Sequence, residues 1–215
     1  MKSNMIDLIE KSTRAILEKQ PNAGHDITHT IRVRELCLHI GHLEGGDPEI
    51  LEASALLHDI GRPAELQKSG VDHAAVSARL AHGILKAAGF PDDKIPSVIY
   101  AIENHRYSSN IEPTSLEARI LQDADRLDIS GAVGIAMTFA YTGALGRQMY
   151  HIDDPMAEDR EPDDKEYALD HILSKLLLLS MHTDTARDMA KQRNEFLNKF
   201  IDQFAEEINF RGAKP

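Results

Sequence analysis

"ASALLHDIGRP", residues 53–63, decides how this chain is read. From Ala53 to Leu57 only Ser54 is polar, so the stretch reads as the end of a buried helix. Asp47-Pro48 supplies an N-cap and a first turn, which places that helix from Glu49 to about Leu57. It then runs straight into His58 and Asp59, with Gly61 and Pro63 turning the chain away. A carboxylate against an apolar interior is costly unless it is paired or bound to a cation. The adjacent histidine and aspartate therefore ask for a partner elsewhere in the chain.

Outward from this point the periodicity is helical. Upstream, Met5, Leu8, Ile9, Ile16 and Leu17 define a first amphipathic helix that Pro21-Asn22 ends. Asp26 or Thr28 caps a second, which turns Ile31, Leu36, Ile40 and Leu43 inward before Gly45-Gly46. Downstream, a loop from Gly61 to about Asp72 precedes a helix from His73 to Ala88, closed by Gly89. Another begins at Lys94-Ile95-Pro96 and runs towards His105, and a third spans Leu116 to about Leu127. The Gly-, Ala- and Met-rich stretch 131–149 suits close helix packing. The acidic "HIDDPMAEDREPDD", 151–164, reads as a surface loop or mobile lid, followed by long helical patterns over 165–181 and 184–208. No segment shows the period-2 alternation of a strand. The expectation is an all-α, irregular helical bundle forming one domain over 1–215. Its core lies in about 20–150, and the helices of 165–208 pack on it or serve as a homodimer face.

The chain has 215 residues, 42% of them hydrophobic, enough for one sizeable core. Lys+Arg number 24 against Asp+Glu 35, a net charge of −11, which argues against sequence-independent binding to nucleic acid or anionic membrane. Cys37 is the single cysteine, so no intrachain disulfide forms and a sulfur-rich metal site is excluded. The longest aliphatic run, Leu176 to Leu179, is far short of a membrane span, and the charged N-terminal segment carries no secretory apolar region. A cytoplasmic setting is expected.

Four places carry chemistry: His25, Asp26 and His29 in "GHDITHTIRVREL"; His58-Asp59; His105 in "IENHRYS"; and Asp123, Asp125 and Asp128 in "RILQDADRLDISGA". All lie at the edges of apolar helices. Asp125 and Asp128 share a helix face, where like charges repel unless a cation lies between them. Asp26 is read both as an N-cap and as a site residue. Two histidines and two carboxylates on three helices suit a divalent ion, and such an ion lowers the pKa of a bound water and polarises a phosphoryl oxygen.

The spaced pattern His29, His58-Asp59, Asp125, with the phrases "GHDITHTIRV", "ALLHDIGR", "HAAVSARLA" and "DADRLDISGA", resembles the HD-domain superfamily of metal-dependent phosphohydrolases over roughly residues 20–150. It is most similar to the small stand-alone bacterial HD hydrolases, among which nucleoside-triphosphate pyrophosphohydrolases occur. The resemblance implies an all-α fold with His29, His58, Asp59 and Asp125 as ligands of a divalent ion (Mn, Fe, Mg, Co, Ni or Zn). Members with two metals carry further histidines before the last aspartate. His73, His82 and His105 are candidates here, but a second "HH" pair is missing. The acid pair that several nucleotidases carry soon after HD is not evident at Arg62, Pro63, Ala64 and Glu65.

The resemblance implies that the substrate is a small phosphorylated compound, a nucleotide. Asp26 orients the attacking water or the His29 ring, while Asp59 binds the ion. Arg62, which follows the HD pair, is the leading phosphate contact, with Arg32, Arg126, His73 and His105 as further substrate contacts and Lys68 in the loop. The rival readings are a non-haem di-iron oxygenase on the same fold, a non-catalytic module that senses a nucleotide or metal, and a nucleic-acid-processing HD nuclease, which the net charge of −11 disfavours.

Overall fold

The computed structural model describes residues 2–18, 26–67, 70–106 and 112–208. Pro21, Asn22, His25 and Lys68 fall outside these residues. In chain order the elements are α1 (Lys2–Leu17), α2 (Ile27–Glu44), α3 (Pro48–Leu57), α4 (Arg62–Gln67), α5 (His73–Ala88), α6 (Ile95–Glu103), α7 (Leu116–Asp128), α8 (Gly131–Ala144), α9 (Ala168–Ser174), a 3-10 turn (Leu176–Leu178) and α10 (Asp184–Ile208). Among the described residues there is no strand, only an isolated bridge between Gln148 and Tyr167. The fold is all-α, as the periodicity predicts.

The chain divides into two compact units, residues 1–125 with 182–186, and residues 126–181 with 187–215. In the first unit Ile9 of α1, Leu56 and Leu57 of α3, Ala78 and Leu85 of α5, and Val98 and Ile102 of α6 form one buried cluster. Thr13, buried on α1, gives its hydroxyl to the Leu56 carbonyl at 3.0 Å and so joins α1 to the end of α3. Cys37 is buried on α2. Asp47 accepts from the backbone N–H groups of Glu49 and Ile50, and Pro48 opens α3 without a lost hydrogen bond. Asp123, fully buried on α7, accepts from the N–H groups of His182 and Thr183, a structural role for one of the three aspartates of that segment.

In the second unit Ile135 of α8, Leu169 and Ile172 of α9, Leu176, and Leu197 and Ile201 of α10 make a separate core, flanked by Phe139, Tyr150, Phe200 and Phe204. Gly131 opens α8 at φ +64, a conformation that favours glycine.

Two expectations need correction. Residues 61–72 are not all loop: Pro63 sits in the first turn of α4, where its fixed φ starts a helix rather than stopping one. The pattern over 165–181 is not one helix. It breaks at Lys175, because the run from Leu176 to Leu179 has no polar side to fix a helical face; Leu176 is buried while Leu178 is 69% exposed. Segment 151–164 carries no helix or strand, as the surface-loop reading has it, and it is tied to α9. The Arg160 guanidinium reaches the fully buried Asp170 carboxylate at 2.5 and 2.8 Å, and that carboxylate also accepts from the Asp163 N–H at 2.6 Å.

Candidate metal centre

The site lies within the first unit and is assembled from helix ends. Asp26 Oδ1 accepts from the N–H groups of Thr28 and His29, at 2.9 and 3.1 Å, which fixes the start of α2 and sets His29 in its first turn. His58 closes α3 and His105 follows α6. Each donates Nδ1–H at 2.7 Å to the carbonyl three residues earlier, Ala55 and Ile102 respectively. Those carbonyls belong to helix C-termini, where the regular ladder leaves acceptors open.

Gly61 brings the turn after Asp59 down onto α5. Its N–H donates to Ser77 Oγ at 2.8 Å, and a Cβ there would run into the carbonyl oxygen of His73. This close approach places Asp59 beside His73, the first residue of α5.

The side chains converge in two groups, each with one ligand atom per residue lying within 4.8 Å of the others: His29, His58 and Asp125, and Asp59, His73 and His105. In the first group His29 Nε2 is 3.3 Å from His58 Nε2 and 3.4 Å from Asp125 Oδ1. In the second His73 Nε2 is 3.3 Å from His105 Nε2. Asp59 joins them. Its Oδ2 lies 3.8 and 3.7 Å from the Nε2 atoms of His29 and His58, and its Oδ1 lies 3.4 and 3.5 Å from those of His73 and His105. All but Asp125 are essentially buried; its side chain is 22% exposed, the opening towards solvent.

The chemistry of this donor set fits divalent metal. With Nδ1–H committed to a backbone carbonyl, neutral His58 turns a lone pair, not a proton, on Nε2 towards His29 and the carboxylates. Lone pairs and anions packed this closely repel unless a cation lies among them. Burial lowers the His58 pKa to about 4, and burial followed by the nearby Arg62 charge lowers that of His73 to about 4, so both rings are neutral donors at pH 7. Burial also pulls His105 down, but its hydrogen bond to Asp59 and the Asp59 charge outweigh this and raise it. Burial pushes the Asp125 carboxyl up, yet the His29 hydrogen bond and neighbouring imidazoles hold it below the usual carboxylate range.

At the rim, Arg62 gives Nε to Asp59 Oδ1 at 3.1 Å and Nη1 to Glu65 Oε2 at 2.9 Å. Arg106 gives Nη1 to Asp72 Oδ1 at 3.0 Å and lies 3.8 Å from Glu65 Oε1. The structure thus brings His29, His58, Asp59, Asp125, His73, His105 and Arg62 together. It does not bring Arg32 or Arg126 into either group. Arg32 donates to Thr28 Oγ1 at 3.1 Å beside the Asp26 cap, and Arg126 is 7% exposed with Nη1 on the Ser180 carbonyl at 2.6 Å within the second unit. His82 lies exposed on α5. Glu65 is the residue that sequence reasoning passed over; its Arg62–Glu65 spacing of three carries meaning only once 62–67 is known to be helical.

An all-α scaffold that gathers four imidazoles and two carboxylates at its helix ends is built to hold divalent metal. The HD domain family matches residues 26–130, which span both groups. The protein YpgQ of Bacillus subtilis is 34% identical over 193 residues, 87% of this chain and 86% of that protein. A crystal structure of an HD-superfamily hydrolase from Bacillus thuringiensis superposes with a TM-score of 0.76 at 33% identity, covering 98% of this chain and 100% of that one. The B. subtilis YpgQ structure in complex with ADP superposes with a TM-score of 0.74 at 33% identity, covering 97% of each chain. The chain belongs to the HD-domain superfamily of metal-dependent phosphohydrolases. Like other members it binds a divalent metal ion. No helix among the described residues is long and apolar enough to cross a membrane.

Proposed function

We propose that this enzyme hydrolyses a phosphate ester or phosphoanhydride bond of a nucleotide, with His29, His58, Asp59 and Asp125 holding one divalent cation. The observation that carries the reading is the Asp59 carboxylate, which turns one oxygen to each cluster of imidazoles. That arrangement extends the ligand set to a second position on Asp59, His73 and His105, so the last two act as ligands rather than as substrate contacts. A bound divalent ion supplies a Lewis acid for the phosphoryl oxygen and a water of lowered pKa.

The protein's own groups do the rest. Arg62 and Arg106 stand at the rim with guanidinium donors for the phosphoryl oxygens of the substrate. Asp125, ionised and partly open to solvent, accepts a hydrogen bond from the entering water and orients it. Asp26 holds the backbone of His29 and so the direction of its ring. ADP in the related B. subtilis protein supports a nucleotide as substrate.

The test is a panel of nucleotides, cyclic nucleotides and phosphate esters assayed with Mn²⁺, Mg²⁺, Co²⁺ and Ni²⁺, wild type beside Asp59→Ala. The variant is expected to lose at least about 100-fold in turnover, since even outer partners of metal ligands are worth about 10–100-fold. Full turnover by Asp59→Ala on the best substrate overturns the site assignment. The same bridging carboxylate would suit two irons of an oxygenase; an iron chromophore in the purified protein, with no phosphate released from any substrate, would favour that reading. The paired arginines at the rim favour phosphate.

A further inference from the structure

The three rings of His58, His105 and His73 are held in two different ways. His58 and His105 stand at the ends of helices, so the carbonyl three residues back is open and takes their Nδ1–H. His73 is the first residue of α5 and has no helical turn behind it to offer such a carbonyl. Its Nδ1 is buried and makes no hydrogen bond of regular geometry, and Glu65 Oε2 stands 3.0 Å from it. Glu65 is in turn held by Arg62 one turn earlier on α4 and approached by Arg106.

We propose that Glu65 is the positioning residue of the second cation position, taking the Nδ1–H of His73 so that its Nε2 lone pair faces Asp59 and His105. The inference rests on the two-position reading above. Glu65 is not itself a ligand of that position, because its carboxylate lies against the far nitrogen of the ring. A carboxylate there fixes the tautomer, fixes the ring plane and makes Nε2 a stronger donor. The first position takes His29, His58 and Asp125 from α2, the end of α3 and α7, and meets α4 only where Arg62 holds the shared Asp59, not through Glu65. Glu65 therefore separates the two positions energetically: its loss weakens one and spares the other.

The experiment is equilibrium dialysis of metal-stripped protein against Co²⁺ and Mn²⁺, with metal counted by elemental analysis and the Co²⁺ visible spectrum recorded at each equivalent. Wild type is expected to take up two equivalents. Glu65→Ala is expected to keep the first with its spectrum unchanged and to bind the second about 10–100-fold more weakly. Glu65→Gln, whose amide oxygen still accepts from Nδ1–H, recovers part of that loss and serves as the probe should the alanine variant fail to fold. Two equivalents of unchanged affinity and spectrum in both variants overturn the proposal, as does an equal weakening of both equivalents, which marks a merely structural residue. A single equivalent in wild type also overturns it and leaves the first position standing. No uptake by wild type overturns the function proposed above rather than the role of Glu65.

Discussion

Asp59 is 2% exposed and has four imidazole nitrogens within 3.8 Å of its two oxygens. Without metal, its charge is met by Arg62 and by the raised basicity of His105. The remaining rings carry the cost, and this has a pH signature in the metal-free protein. His58 and His73 have folded-state pKa values of about 4 against 6.5 for a free histidine. Between those limits the unfolded chain binds more protons than the folded one, so stability rises with pH through that window and is lost as pH falls through it. His105 has the opposite shift, but below 6.5 its contribution is already complete and adds no slope; Asp125 acts only below the ordinary carboxylate range. Thermal unfolding of the stripped protein is expected to fall by at least about 5 °C from pH 7 to pH 5, at about 2–4 °C per kcal/mol for a chain of this size. A melting temperature flat across that range would mean the two rings are not neutral in the fold. The adjacent pair His58-Asp59 was legible in the sequence because a charge at the end of an apolar helix needs an explanation. Glu65 was not legible: its meaning comes from a buried nitrogen eight residues away.

Among the elements, the turn between α3 and α5 does most to build the site. It holds Gly61 against α5 and is continued by α4, so one short segment sets Asp59, Arg62 and Glu65 relative to His73. Gly61→Ala would press a methyl group into the His73 carbonyl and the Ser77 amide, both backbone, neither able to give as a side chain can. The expected cost is about 1–3 kcal/mol of stability, with a parallel loss of metal uptake as Asp59 moves from His73. Gly83→Ala is the control. It lies in the same α5 with nothing near the added methyl group, and should stabilise by about 0.5–1 kcal/mol. Equal melting temperatures and equal metal uptake in the two variants would remove the turn from the account. The ends of α5 were legible because Asp72 caps it and Gly89 leaves it at φ +73. The existence of α4 was not, since a proline after a glycine reads equally as a stop and as a first turn.

Across the whole molecule, the repeat of apolar residues every three to four positions was sufficient for an all-α fold, because that repeat is what each amphipathic face needs to be buried. It could not show that loop 151–164 is tied down, since the Arg160–Asp170 pair spans ten residues with no local pattern. Net charge is the property read most directly, and it bears on the reaction. The chain carries −11, and the rim arginines are already matched by Asp59, Glu65 and Asp72. A nucleotide, as proposed above, would therefore approach against a repulsive field and meet positive charge only at short range. Screening shortens that field from about 30 Å at 0.01 M salt to about 8 Å at 0.15 M. Raising the salt of a metal-loaded assay over this range is expected to lower KM for an anionic nucleotide severalfold while kcat stays nearly constant, because approach is affected and the bound geometry is not. Initial rates in KCl at fixed free metal measure it. A KM that instead climbs steeply with salt would show that local cations steer the substrate, and that the acidic surface has no part in its approach.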